Sequence, residues 1–237
     1  MSGAEIKPWI KRRAHLLGSV TRTTSPQIVL TYDDGPDPHW TPGILECLAR
    51  HGATATFFVL LTRTRKHPQL VREIVSAGHE VALHGVDHQR LTDFGFSAAR
   101  KRTSEAKVEL EDLSGVDVRW FRPPYGRQSL STWAAVRSVG LTPVLWSATT
   151  WDWKEVSQDE RVVEAVRGGG AGSIVLAHDG FADAGDAAFD GPPPTFDRVK
   201  LLERLLEEFS ERSLSCLSLG KALESSTPVL EASFSRR

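Results

Sequence analysis

Residues 28–36 read Ile-Val-Leu-Thr-Tyr-Asp-Asp-Gly-Pro. The first five are a β-rich run and predict a short strand; the last four are turn formers. Outward from this point the chain repeats one unit, strand, loop, helix. Thr41 to His51 reads as a helix, with Thr41 as N-cap, Pro42 at the first helical position and Gly52 as its stop. Ala53 to Leu60 is a strand, Pro68 to Ala77 a helix closed by Gly78, and His79 to Leu83 a strand. Ser97 caps a longer amphipathic helix to Leu113, with Leu110 and Leu113 on one face. Arg119 to Phe121 is a strand running into Pro-Pro-Tyr-Gly, and Ser131 to Val139 a helix stopped by Gly140. Pro143 to Ala148, Ser173 to Ala177 and Leu214 to Leu217 read as strands. Gln158 to Arg167, Thr195 to Phe209 and Leu219 to Glu224 read as helices. Such alternation implies βα units around a parallel sheet. Seven or so strands suggest a single-domain α/β fold, an incomplete barrel rather than an open sheet. Residues 1–24 read as an N-terminal arm, 25–222 as the folded domain and 223–237 as a tail whose last dozen residues fray.

Composition excludes several classes. The chain has 237 residues, 40% hydrophobic and 25% charged, with 19 Gly and 13 Pro, the profile of a globular protein with a sizeable core. Its 29 Lys and Arg against 30 Asp and Glu leave a net charge of −1, without the basic surplus of a dedicated nucleic-acid binder. The longest apolar stretch, Ala53 to Leu61, is too short to span a bilayer. Cys47 and Cys216 form no Cys-x-x-Cys pair, so a cysteine zinc site or redox motif is excluded and core packing is expected. The N-terminus has basic residues but no apolar h-region, so a cytoplasmic location is expected; a trimmed secreted protein would read the same way. Lys11, Arg12 and Arg13 read as a solvated arm.

Chemistry-bearing residues collect after the predicted strands. Asp33 and Asp34 follow the first; His84, Asp87 and His88 the third; Arg122 and Tyr125 the fourth; Asp152 and Trp153 the fifth; His178 and Asp179 the sixth. In parallel α/β barrels the C-terminal strand ends form the active-site rim. Two histidines four apart can converge on one cation, and an aspartate from another loop completes a His-His-Asp set with positions left open. Asp34 is the candidate; the adjacent Asp33 points the other way, towards substrate. Trp120 and Trp146 are expected to pack in the core or rim, and Trp151 to be available for stacking on substrate. The long loop Phe181 to Pro194, rich in Gly, Asp and Pro, is a candidate functional element.

These motifs carry a resemblance. Thr31-Tyr32-Asp33-Asp34-Gly35-Pro36 resembles the first motif of the NodB-type polysaccharide deacetylases, carbohydrate esterase family 4. His84-Gly85-Val86-Asp87-His88 is similar to the second, Arg122-Pro123-Pro124-Tyr125 to the third, Asp152-Trp153 to the end of the fourth and Leu176-Ala177-His178 to the fifth. The resemblance implies a distorted, incomplete (β/α)7-type barrel. It implies a divalent metal on Asp34, His84 and His88, zinc by preference, with cobalt, nickel or manganese as alternatives. It further implies Asp33 as general base, kept ionised by Arg122; the Tyr125 amide as oxyanion donor; and His178 as general acid. Asp152 would tune Arg122 or His178, Leu176 would line the acyl pocket, and Trp153 would face a sugar ring. Two departures stand out: Gly85 replaces the usual Ser or Thr, and Thr149 stands where the fourth motif has its first Asp.

The expected reaction is hydrolysis of an N-acetyl group from an amino sugar. O-acetyl ester, N-formyl and cyclic amide hydrolysis remain alternatives. A catalytically silent carbohydrate-binding relative would be expected to have lost one of Asp33, Asp34, His84, His88, Arg122 or His178, and all are present. The expected partner is an acylated carbohydrate or other N-acylated small molecule, not nucleic acid or membrane.

Overall fold

The computed structural model describes residues 17–235; Lys11, Arg12 and Arg13 lie outside the described residues. The elements in order are β1 (Ser19–Thr23), β2 (Ile28–Asp33), α1 (Thr41–Arg50), β3 (Thr56–Leu60), α2 (Leu61–Lys66), α3 (Pro68–Ser76), β4 (Glu80–Gly85) and α4 (Phe96–Ser114). They continue with β5 (Trp120–Phe121), α5 (Leu130–Ser138), β6 (Thr142–Pro143), β7 (Ala148–Thr149), α6 (Gln158–Gly168) and β8 (Ile174–His178). The last are α7 (Arg198–Glu211), β9 (Cys216–Leu217), α8 (Leu219–Leu223) and β10 (Pro228–Glu231). Parallel strands run in the order β6-β5-β4-β3-β2-β8-β7, with β9 beside the start of β2. This curled parallel sheet with helices outside is the incomplete barrel expected. No described helix is long and apolar enough to cross a membrane.

Strand alternation decides what faces the barrel axis. Ile28, Leu30 and Tyr32 of β2, Phe57 and Val59 of β3, and Val175 and Ala177 of β8 pack outward with the helices in the larger apolar cluster. Val29, Phe58, Ala82 and Ile174 face inward in a second cluster with Val20, Val144, Leu219 and Ala222. The inward parity carries on to the strand ends, placing Thr31, Asp33, His84, Leu176 and His178 above that plug. Asp33 and His178 are direct cross-strand partners.

Three sequence readings change. The arm and tail are not loose at their inner ends: β1 and β10 form an antiparallel ribbon, Ser19 opposite Glu231 to Thr23 opposite Pro228. Val20 and Leu230 of this ribbon pack under the barrel interior, which is why it is ordered. The expected strand Pro143 to Ala148 is two short strands on opposite sheet edges, β6 on β5 and β7 on β8. Between them the Leu145 amide bonds to Val20 and its carbonyl accepts from buried Arg122, so the ladder cannot continue through it. The caps also shift. Thr41 is the first helical residue, and its hydroxyl links the Asp37 amide to the Asp179 carboxylate. Gly95 rather than Ser97 precedes α4.

Candidate active site

Each site residue sits where a strand gives way to a loop. β2 ends at Asp33, and Asp34 follows with a left-handed φ of 70°. That reversal turns the two neighbouring carboxylates to different partners. Asp33 Oδ1 accepts from Arg122 Nη1 at 2.7 Å. Arg122 is fully buried, also donates to Thr31 Oγ1 at 2.9 Å and to the Leu145 carbonyl at 3.1 Å, and stacks on Phe58. Its guanidinium therefore both compensates the Asp33 charge and fixes its position.

Asp34 Oδ1 lies 3.4 Å from Nε2 of both His84 and His88. One donor atom from each of the three lies within 4.8 Å of the others, and all three residues are buried. His84 Nδ1 meets the Arg122 carbonyl at 2.9 Å, which places its proton on Nδ1 and leaves the Nε2 lone pair facing the cluster. Burial alone would raise the Asp34 pKa, but His84, then His88 and His178, hold it well below the carboxylate range. Burial lowers the His88 pKa, with the Asp34 charge pulling the other way. Asp34 Oδ1 is buried with no hydrogen-bond donor among the described residues. An ionised carboxylate oxygen left bare between two imidazole nitrogens fits a cation and is otherwise costly. The donor set fits a divalent metal.

The second histidine segment explains a departure from the family pattern. Gly85 has φ 126°, and a Cβ there would stand 2.8 Å from the Asp87 carbonyl, so serine or threonine would be strained. The bracing comes from Asp87, which accepts from the Gln89 amide at 3.1 Å and pairs with Arg102 of α4. At the other departure, Thr149 Oγ1 accepts from the Trp151 amide, supporting the turn into Asp152.

Across the cavity, fully buried Asp152 takes His178 Nδ1 at 2.7 Å and the His178 amide at 2.7 Å. Of the two partners weighed for it, Asp152 holds His178 and not Arg122. Arg198 Nη1 adds a third bond to Asp152 at 3.2 Å. Burial disfavours the imidazolium, yet Asp152, with smaller pulls from Asp34 and Asp33, pushes the His178 pKa up to about 9. Tyr125 has φ 60° in the short turn Pro124–Gly126; its amide has no acceptor among the described residues, whereas the Gly126 and Arg127 amides do. The cavity measures about 480 Å³ and is lined by Asp33, Asp34, His84, His88, Tyr125, Trp153, Leu176 and His178. All eight are among the site residues the sequence motifs imply. Arg122 and Asp152 stand behind Asp33 and His178.

Trp146 packs against the inner apolar cluster, as expected, and also lines this cavity. Trp151 does not; its ring lies under Lys154 Nζ at 3.7 Å. Gly126 allows the Trp146 approach, since a Cβ there would touch the indole at 2.6 Å. The sequence reading also passed over Thr31, Arg198, Arg63 and Asp186. Arg63 donates to Asp186 Oδ2 at 2.8 Å, Asp37 Oδ2 at 3.3 Å and the Phe181 carbonyl at 2.6 Å. The Asp186 carbonyl in turn accepts the His88 amide at 2.8 Å. Arg63 thus ties the 181–194 loop to a histidine of the Asp34, His84 and His88 cluster. Arg63→Gln is expected to weaken divalent-metal affinity about 10–100-fold, the usual cost of losing such support. Competition with a chromogenic chelator measures it; unchanged affinity would show that the loop merely covers the site.

The sequence profile described as Polysaccharide deacetylase matches residues 21–144. The chain is 36% identical over 168 residues to a chitooligosaccharide deacetylase of Azorhizobium caulinodans, covering 70% of this chain and 80% of that one. It is 35% identical over 156 residues to the peptidoglycan-N-acetylglucosamine deacetylase PgdA of Listeria monocytogenes, covering 66% of this chain but 33% of that one. Among solved structures, the Bc1960 peptidoglycan N-acetylglucosamine deacetylase superposes with TM-score 0.76 at 26% identity, covering 92% of this chain and 97% of that one. A matched profile over half the chain, a relative above 30% identity over most of both lengths, and a shared curled sheet agree: this chain belongs to the polysaccharide deacetylase family, the NodB-type hydrolases of carbohydrate esterase family 4.

Proposed function

We propose that the protein removes an N-acetyl group from an acetylated amino sugar and releases acetate, with a divalent cation, zinc by preference, on Asp34, His84 and His88. One observation carries the reading. A single cavity brings the bare Asp34 oxygen and two imidazoles together between an arginine-paired carboxylate and an aspartate-paired imidazole. The cation supplies Lewis-acid polarisation of the acyl carbonyl and makes a water more acidic. The rest falls to the chain's own groups. Asp33 has Oδ1 committed to Arg122, so Oδ2, 3.8 Å from His84 Nε2, is free to take the proton of the attacking water. The Tyr125 N–H donates to the developing oxyanion. His178 has Nδ1 committed to Asp152, so the proton it delivers to the departing nitrogen is on Nε2. An amine leaves only with a proton, and a histidine held cationic by Asp152 suits that demand. Leu176 takes the acyl methyl, and Trp153, set edge-on to His178, gives the sugar ring an apolar wall. The deacetylases of chitooligosaccharide and peptidoglycan among the relatives support this substrate class.

The test is acetate release from N-acetylglucosamine oligomers, chitin, monomeric N-acetyl sugars and acetyl-xylan, with and without chelator. Release from the N-acetyl sugars, lost with chelator and restored by zinc, is expected. Release from acetyl-xylan alone would refute the amide reading. A pH dependence follows from His178. As an acid it works below its pKa, so kcat/KM is expected to fall on the alkaline side. Removing the Asp152 charge lowers that pKa, and Asp152→Asn should move the alkaline limb to lower pH in a pH–rate profile.

A further inference from the structure

We propose that the mouth of this cavity selects amino sugars bearing an anionic substituent, a carboxylate or a phosphate, through Arg90 and Arg127. The inference rests on the deacetylase reading for the sugar and adds what the sugar must carry. Both arginines line the cavity and both are exposed. Among the described residues neither guanidinium makes an ion pair or a hydrogen bond, whereas Arg65, Arg119 and Arg204, also at the surface, each hold a carboxylate. Arg90 lies over the Tyr125 ring, 5.2 Å from its centroid, which holds it at the mouth with its N–H edge free. Arg127 directly follows the turn that presents the Tyr125 amide. It therefore stands two residues from the proposed oxyanion donor.

The cavity's own carboxylates do not cancel this charge. Asp33 is paired with Arg122, and Asp34 is buried with the two imidazoles, where the proposed cation would offset its charge. Asp190 accepts the Tyr125 hydroxyl at 2.7 Å and remains a single negative charge against two guanidiniums. A surplus of one positive charge faces the entrance. Planar guanidiniums match carboxylate and phosphate oxygens with paired N–H bonds, and a partly enclosed mouth is screened less than open surface. A neutral sugar uses neither.

The experiment compares N-acetylmuramic acid, N-acetylglucosamine 1-phosphate and N-acetylglucosamine as substrates of the full chain. In parallel, calorimetry measures binding of the corresponding deacetylated products, which cannot turn over. An anionic-to-neutral ratio of about tenfold or more is expected in kcat/KM and in product affinity, shrinking as salt rises. Arg90→Gln/Arg127→Gln should bring both ratios close to one, and the double lysine variant should restore part. A matching melting temperature shows that the variants are folded. Preference for only one anion assigns the substituent as carboxylate or phosphate. If no sugar releases acetate yet products bind with a preference that the double variant loses, the deacetylase reading fails and this inference stands. Equal ratios in the wild type, a ratio untouched by the double variant, or no binding of any product would overturn it.

Discussion

Asp33→Asn is expected to keep a stoichiometric divalent metal and to lose turnover by about 10²–10⁴-fold, the range carried by a positioned general base. His84→Ala is expected to lose both. The contrast follows from the two faces of the Asp33-Asp34 pair. Asp34 Oδ1 is the oxygen that both histidines approach at 3.4 Å, while Asp33 Oδ1 is bound by Arg122 at 2.7 Å. Asparagine at position 33 keeps an acceptor for Arg122 and removes only the basicity. Alanine at position 84 removes the Nε2 donor together with the Nδ1 bond to the Arg122 carbonyl. Metal content by elemental analysis and acetate release on both variants decide the matter. Unchanged acetate release by Asp33→Asn would overturn the base assignment, and full metal content in His84→Ala would overturn the ligand set.

Arg122→Leu should unfold the protein far more readily, by about 3–5 kcal/mol, the cost of leaving one member of a buried ion pair alone. For a domain of this size that is a drop in Tm of about 6–20 °C. Arg122 is fully buried and Asp33 nearly so, and the guanidinium also holds Thr31 Oγ1 and the Leu145 carbonyl. The reason is the stranded Asp33 charge more than the lost contacts. Accordingly Asp33→Asn/Arg122→Leu should recover a large part of the loss, because a neutral amide tolerates burial better than a carboxylate. Thermal melts of the single and double variants close the cycle. A double variant as unstable as the sum of the singles would show that Arg122 acts by packing alone.

Much of the site was legible because its parts are local. A β-rich run followed by Asp-Asp-Gly-Pro, two histidines four apart and a histidine at the end of Ser173 to Ala177 are each readable in a window of a few residues. The alternation of strand and helix then placed those windows on one rim. Asp34, His84 and His88 do converge, and Asp33, Tyr125, Trp153, Leu176 and His178 do line one cavity with them.

What the chain alone determined is therefore the set of strand ends and the chemistry they carry, since side-chain parity and turn formers act over a few residues. Only tertiary structure decided which charges pair. Arg198 reaches Asp152 across 46 positions and Arg63 reaches Asp186 across 123, and nothing in either neighbourhood signals the partner. It also decided that Trp146 and not Trp151 faces the cavity, because Gly126 clears one approach while Lys154 covers the other ring. The β1–β10 ribbon is the same lesson at the level of the backbone. Its two strands lie at opposite ends of the chain and pair with each other, a distance no local pattern spans.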